Sequence, residues 1–271
     1  MSELARLAAR NLAAVRTTSP LVHNITNFVV MNPTANALLA CGASPVMAHA
    51  ENEVEDMVAL AGSLVLNIGT LTDIWVGSML KAARKASSLG KPIVLDPVGA
   101  GATPLRTNAA RAILSQAKVS VVRGNASEIL ALAGDEGGAK GVDARHGVED
   151  ATTAARELAL SLGVTLAMTG RTDLVTDGHR TLMIDGGHSL MPRVTGTGCT
   201  ASALVGAFLA VDPDPVTASA SALALLALAG ERAGSLAGGP GSFQTHLLDA
   251  LYAITPDELA ARQAIREISH A

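Results

Sequence analysis

The chain is poor in aromatic residues, with one Trp, one Tyr and three Phe among 271 positions, 2% of the whole. Its core must therefore come from Ala, Val, Leu, Ile and Met, within a hydrophobic fraction of 49%. Side chains of that size allow close helix–sheet packing. The scarcity also argues against a nucleic-acid surface, which would want stacking aromatics and basic clusters. An excess of one charge is lacking too: twenty Lys and Arg against twenty-four Asp and Glu leave −4, with no block of like charge. Only two cysteines occur, Cys41 and Cys199. They give no disulfide framework, which fits a cytoplasmic setting. The most apolar window, about 218–230, is too short and too rich in Ser and Ala to span a bilayer, so no membrane partner is expected. The N-terminus carries Arg6 and Arg10 inside an amphipathic pattern and reads as a helix, not a secretory signal. Repeats, low-complexity tracts and long linkers are absent. A length of 271 residues suits one large α/β domain spanning 1–271.

Taken in order, the pattern predicts a helix from Ser2 to about Val15 and a strand over 21–26. A helix over 28–40 follows, stopped by Gly42. A short apolar run at 45–48 precedes an acidic stretch, 51–56, that opens the next helix. Strands are expected at 64–69, at 92–95 ending on Asp96, at 119–122 ending on Arg123-Gly124-Asn125, and at 164–168 ending on Thr169-Gly170. Helices are expected between them at 72–89, 104–116, 126–132 and 151–162. The stretch Gly134–Gly147 reads as a mobile surface loop. Residues 174–176 and 180–184 read as a β-hairpin about Asp177-Gly178. Beyond residue 200 only helices are expected: 200–211, 214–233, 241–253 and about 256–268. Continuous apolar strands alternating with helices imply a mostly parallel sheet covered on both faces.

The most informative stretch is Val194-Thr195-Gly196-Thr197-Gly198-Cys199-Thr200-Ala201-Ser202-Ala203. Two glycines two apart open a run of small and apolar residues, as in a glycine-rich loop entering a buried helix. Glycine lets the backbone approach a ligand closely. The free N–H groups and dipole of the first helical turn then favour an anion. Cys199 would stand at that positive end, where a thiol can be drawn towards thiolate. The alternative is a tight turn before a core helix with a small buried Cys. Polar residues also follow strand after strand: Asn24 and Thr26, Asn67 and Gly69, Asp96, Arg123 and Asn125, Thr169 and Gly170. In open α/β sheets ligands bind at the carboxyl ends of strands, so these residues would converge on one cleft. Asp96 could hold Mg²⁺ directly or through water, with Glu128 as a second carboxylate. Arg123 could pair with phosphate in a planar fork.

Several familiar sites fail on residues. Gly90-Lys91 is followed by Pro92, so there is no Walker-type loop. Ala201 stands where the third glycine of a dinucleotide loop would fall. No zinc spacing exists, and no Gly-x-Ser-x-Gly elbow. What does occur is an ordered set: His23-Asn24-Ile25-Thr26-Asn27, Gly42-Ala43-Ser44-Pro45-Val46-Met47, Asp96-Pro97-Val98-Gly99-Ala100, Arg123-Gly124-Asn125-Ala126-Ser127-Glu128-Ile129 and Gly196-Thr197-Gly198-Cys199. In this order they resemble the hydroxyethylthiazole kinase family, of the ribokinase-like superfamily, from about Leu21 to Phe208. The resemblance implies a three-layer α/β/α sandwich with a mostly parallel central sheet. It also implies transfer of phosphate from MgATP to the side-chain hydroxyl of 4-methyl-5-(2-hydroxyethyl)thiazole, a salvage step towards thiamine diphosphate. It further implies a homotrimer with active sites between subunits. Carried over by motif, Met47 and Gly196 contact the thiazole, with Asn24 and Thr195 beside them. Arg123, Thr169 and Asn125 contact ATP, and Asp96 and Glu128 support Mg²⁺. Gly196, Gly198 and Cys199 form the anion hole and catalytic loop. Related sugar and pyrimidine kinases carry an Asp, acting as general base, or a Cys where Cys199 stands; a Cys fits this family's pattern and leaves the base open. A hydrate dehydratase on the same fold would want Asp at 199 and lacks the Asn24–Asn27 motif. A non-catalytic ligand-binding protein would be expected to lose the two carboxylates, and both are present.

Overall fold

The computed structural model describes residues 1–133, 148–262 and 264–268. The expected loop over 134–147 lies outside them. Nine strands form one sheet: β1 Leu21–Ile25, β2 Ser44–Val46, β3 Ser63–Asn67, β4 Ile93–Asp96, β5 Val121–Asn125, β6 Thr165–Thr169, β7 Thr172–Thr176, β8 Thr181–Asp185 and β9 Ile265–Glu267. Their order across the sheet is β2-β1-β3-β4-β5-β6-β7-β8-β9. The strands from β2 to β6 pair in parallel, and β6 to β9 pair antiparallel. Eleven helices are described: α1 Glu3–Thr18, α2 Met31–Cys41, α3 Val54–Leu60, α4 Asp73–Ser88, α5 Pro104–Gln116, α6 Ala126–Leu130, α7 Val148–Leu162, α8 Thr197–Leu209, α9 Pro215–Leu236, α10 Pro240–Ala253 and α11 Pro256–Arg262.

Alternation along each strand assigns neighbouring side chains to opposite layers. Val22, Val65, Val94, Val121, Ala167 and Val175 enter a core with α1, α2, α8, α9 and α10. Leu64, Leu66, Ile93, Leu95, Val122, Leu166 and Leu174 enter a second core with α3, α4, α5 and α7. The result is the expected three-layer α/β/α sandwich. Residues 200–209 of α8 and 216–230 of α9 are buried throughout, so these helices carry no polar face to solvent there.

Local chemistry sets the boundaries. α5 begins where expected because Thr103 accepts the Arg106 N–H and Pro104 takes the first helical position. α2 begins at Met31, three residues later than the pattern suggests, because Asn27 Oδ1 accepts the Val29 N–H at 3.1 Å and closes a turn first. The hairpin between β7 and β8 is joined by four residues, 177–180, not by a two-residue Asp-Gly turn. Asp177 Oδ1 there accepts from the N–H groups of both His179 and Arg180. The expected helix over 256–268 is corrected: α11 stops at Arg262, and β9 adds an antiparallel edge, with Ile265 opposite Ile184.

Candidate active site

α8 begins on Gly196, whose φ of 86° is a left-handed conformation that glycine adopts without steric cost. A Cβ there would lie 2.9 Å from Val30 Cγ1. The Thr200 N–H bonds back to the Gly196 carbonyl at 2.8 Å, and no side chain caps the helix. The N–H groups of Thr197, Gly198 and Cys199 therefore have no acceptor within the helix and face outwards. Thr197 Oγ1 donates to the carbonyls of Met191 and Val194, fixing the approach to the turn.

Arg123 closes over this turn. A Cβ on Gly198 would lie 2.8 Å from Arg123 Nη1, so only glycine lets the guanidinium sit so close. Arg123 Nη2 donates to Thr169 Oγ1 at 2.6 Å, and Nη1 lies 3.6 Å from Asp96 Oδ2. Its Nε is buried without a partner, a donor left over for a ligand. Arg123, Asn125, Thr169, Gly196 and Gly198 all border an open cavity of about 890 Å³. Apolar residues line it too: Leu223, Leu226 and Ala227 of α9, with Met191 and Pro192, beside His188 and Ser189.

Behind the turn is a buried polar network. Asp96 Oδ2 accepts from Asn67 Nδ2 at 2.7 Å and from Ser202 Oγ at 2.7 Å, while Oδ1 has no partner. Burial raises the Asp96 pKa, opposed by Arg123, Ser202 and Asn67 and reinforced by Glu128. Asn67 Nδ2 also donates to Cys199 Sγ at 3.2 Å, and Asn27 Nδ2 donates to it at 3.6 Å. Asn27 Nδ2 bonds Asn67 Oδ1 at 2.8 Å. Burial pushes the Cys199 thiol up to about 11, the Asp96 charge adds to this, and Asn67, Arg123 and Asn27 oppose it. Of the two states the sequence leaves open for Cys199, burial favours the neutral thiol.

Glu128 belongs to a capping box with Asn125. Asn125 Oδ1 accepts the Glu128 N–H at 2.9 Å, and Glu128 Oε2 accepts the Asn125 N–H at 3.0 Å. Glu128 Oε1 accepts the Gly99 N–H at 2.9 Å, tying this helix to the loop after Asp96. No cluster of three or more His, Cys, Asp or Glu suited to a metal occurs among the described residues.

The remaining sequence candidates lie apart from the large cavity. Thr195 borders a small cavity of about 20 Å³, which Gly196 lines as well as the large one, against Pro33 and Ala37 of α2 and Leu247 and Leu251 of α10. Asn24 is buried on β1, where Nδ2 donates to the Val22 carbonyl at 2.9 Å and Oδ1 has no partner. Met47 follows β2 and borders neither cavity. Sequence reasoning passed over Ser202, Asp173 and the Gly186–Pro192 wall. Ser202 looked like one small helix residue among many, and Asp173 fell just before the expected strand at 174–176; only the register of β7, which starts at Thr172, and the facing of α8 reveal them.

The fold is shared with the pyridoxal kinase of Staphylococcus aureus, solved in complex with AMP-PCP and pyridoxal, at a TM-score of 0.59 and 18% identity over 79% of this chain and 88% of that one. The fold is thus ribokinase-like, with a glycine-opened helix end facing a large cavity. A solved hydroxyethylthiazole kinase protein from Pyrococcus horikoshii OT3 superimposes at a TM-score of 0.90, with 50% identity over 97% of this chain and all of that one. A hydroxyethylthiazole kinase from Desulfotalea psychrophila is 60% identical over 269 residues, 99% of this chain and 98% of the relative. One from Oleidesulfovibrio alaskensis is 55% identical over 91% of this chain and 93% of its own. The sequence profile of the hydroxyethylthiazole kinase family matches residues 12–257, and the chain belongs to that family.

Proposed function

We propose that this chain transfers the γ-phosphoryl group of ATP to the hydroxyl of 4-methyl-5-(2-hydroxyethyl)thiazole, in thiamine salvage. One observation carries the reading: the uncapped N-terminus of α8, with Arg123 held against Gly198, opens onto a cavity of nucleotide size. Phosphoryl transfer needs positioning and charge neutralisation more than covalent chemistry. The substrate oxygen forms a bond to phosphorus as the bond to the bridging oxygen of ADP breaks. The three open N–H groups and Arg123 would stabilise the charge on the transferring group. Thr169 fixes Arg123, and Asn125 borders the same cavity. The hydroxyl proton passes to water or to a phosphate oxygen as the new bond forms; Cys199, a thiol at neutral pH, would first have to lose its own proton to accept it.

Asp96 and Glu128 fit a magnesium ion held mainly by nucleotide phosphates and water. The supporting observation is Asp96 Oδ1, a buried carboxylate oxygen with no partner. The ion would neutralise phosphate charge. Met47, Asn24, Thr195 and Gly196 are assigned to the thiazole. Met47 borders neither cavity of a single chain, which supports a site completed by a second subunit of a homotrimer. Exposed Phe28, Val29 and Ile74, at 61%, 60% and 73%, support the same assembly. The single continuous sheet supports one domain over 1–271. Two unpaired cysteines support a cytoplasmic site of action. No described helix is long and apolar enough to cross a membrane.

The test is to mix protein with MgATP and hydroxyethylthiazole and follow ADP release, with ribose and hydroxymethylpyrimidine as controls. Turnover confined to the thiazole is expected. Nucleotide binding with no phosphorylation of the thiazole would remove the kinase reading.

A further inference from the structure

A nucleoside triphosphate has three chemically distinct parts, and the large cavity has matching surroundings for two of them. The helix turn with Arg123 and Thr169 suits phosphates, and the α9 wall suits a base. Asp173 also borders the cavity, on β7, the strand between β6, which carries Thr169, and β8, which runs into Gly186 and Gly187. Arg123, Thr169 and Asp173 are each two residues from Val121, Ala167 and Val175, which point into the core beneath α8 and α9. All three therefore project from one side of the sheet. Across the sheet, Asn125 pairs with Thr169, Met168 with Leu174 just after Asp173, and Asp173 with Ile184 on β8. β8 then leads into Gly186 and Gly187 of the cavity wall.

A carboxylate is out of place among phosphate-binding groups, because it repels their ligand. Asp173 Oδ1 is taken by the Gly170 N–H at 2.9 Å. Oδ2 has no hydrogen-bond partner among the described residues, and the side chain borders the cavity. The parts of ATP that donate to such an oxygen are the ribose hydroxyls and the adenine amino group. A place on β7, one strand from Thr169 of the phosphate end, selects the ribose.

We propose that Asp173 is a specificity residue for the nucleotide, accepting a hydrogen bond from a ribose hydroxyl of ATP. This rests on the kinase reading above. Burial pushes its carboxyl up to about 6, with the Gly170 N–H and Arg123 opposing, so it is largely ionised at neutral pH and an acceptor only.

The experiment is calorimetric titration with ADP, 2′-deoxy-ADP, 3′-deoxy-ADP and pyrophosphate, for the wild type, Asp173→Ala and Asp173→Asn. In the wild type one deoxynucleotide should bind about tenfold or more weakly than ADP, as for a lost hydrogen bond to a charged group. Asp173→Ala should bind ADP at that weakened affinity and the same deoxynucleotide unchanged. Pyrophosphate, which uses the phosphate end alone, should bind all three proteins equally and report that the variants are folded. Asp173→Asn keeps an acceptor for the Gly170 N–H and should keep a smaller discrimination. Equal binding of ADP and both deoxynucleotides by the wild type would overturn the proposal, as would an equal loss for all three in Asp173→Ala. A wild type that binds no adenine nucleotide would overturn the kinase reading itself.

Discussion

At Cys199 burial, joined by the Asp96 carboxylate, acts against Arg123 and two carboxamide N–H groups, and burial wins, holding the thiol at about 11. At pH 7 only on the order of one molecule in ten thousand would carry a thiolate. Cys199 should therefore resist iodoacetamide at neutral pH, and its labelling rate should climb steadily to beyond pH 10. A plateau by pH 8, read by mass spectrometry, would show an activated cysteine instead. Cys41, pushed up to about 12 and fully buried, is the unreactive reference. Because a protonated thiol cannot act as the base, Cys199→Ala should slow the chemical step by less than about a hundredfold, the low end of general-base catalysis, with ATP affinity little changed. Cys199→Asp should keep activity by supplying a carboxylate; a folded but dead variant would exclude that role. Gly198→Ala acts on the neighbouring contact. Its Cβ, 2.8 Å from Arg123 Nη1, must shift the guanidinium and should weaken its hydrogen bond to Thr169. The KM for ATP should rise about tenfold or more, for loss of a charged hydrogen bond, while the thiazole KM changes little.

Elements with their own stop and start signals were legible, and those defined by a distant partner were not. Thr103-Pro104 announces α5, and Gly42, at φ 103°, announces the end of α2. β9 has no such signal: Ala260, Ala261 and Arg262 favour helix, and three residues become a strand only because the edge of β8 lies beside them. Ending the chain at Arg262 should therefore bare that edge and the buried Ile265 contact. The expected outcome is a thermal midpoint several degrees lower, for a loss of about 2 kcal/mol, and more self-association by light scattering. Turnover per folded molecule should persist, because β9 is at the sheet edge and β5 carries Arg123 near its centre. The glycine loop and the two carboxylates were likewise visible as motifs. Asn67 bridging Asp96 and Cys199 was visible only as one polar strand end among several, because hydrogen bonding across 132 residues leaves no local pattern.

For the whole molecule, light scattering should give three times the 27.4 kDa chain mass. Phe28→Asp should shift the distribution towards single chains, by placing a charge in an apolar contact. A wild type that remains at one chain mass would remove the trimer reading and leave Met47 without a route to the nucleotide. The chain's only tryptophan stands at that same corner. Trp75 is 6% exposed, with the Phe28 and His49 rings each 4.7 Å away. Its fluorescence consequently reports on this one corner, with no background from a second indole. Diluting the protein through its assembly range should change the emission in step with the mass, so the protein carries its own optical gauge of association without any added dye.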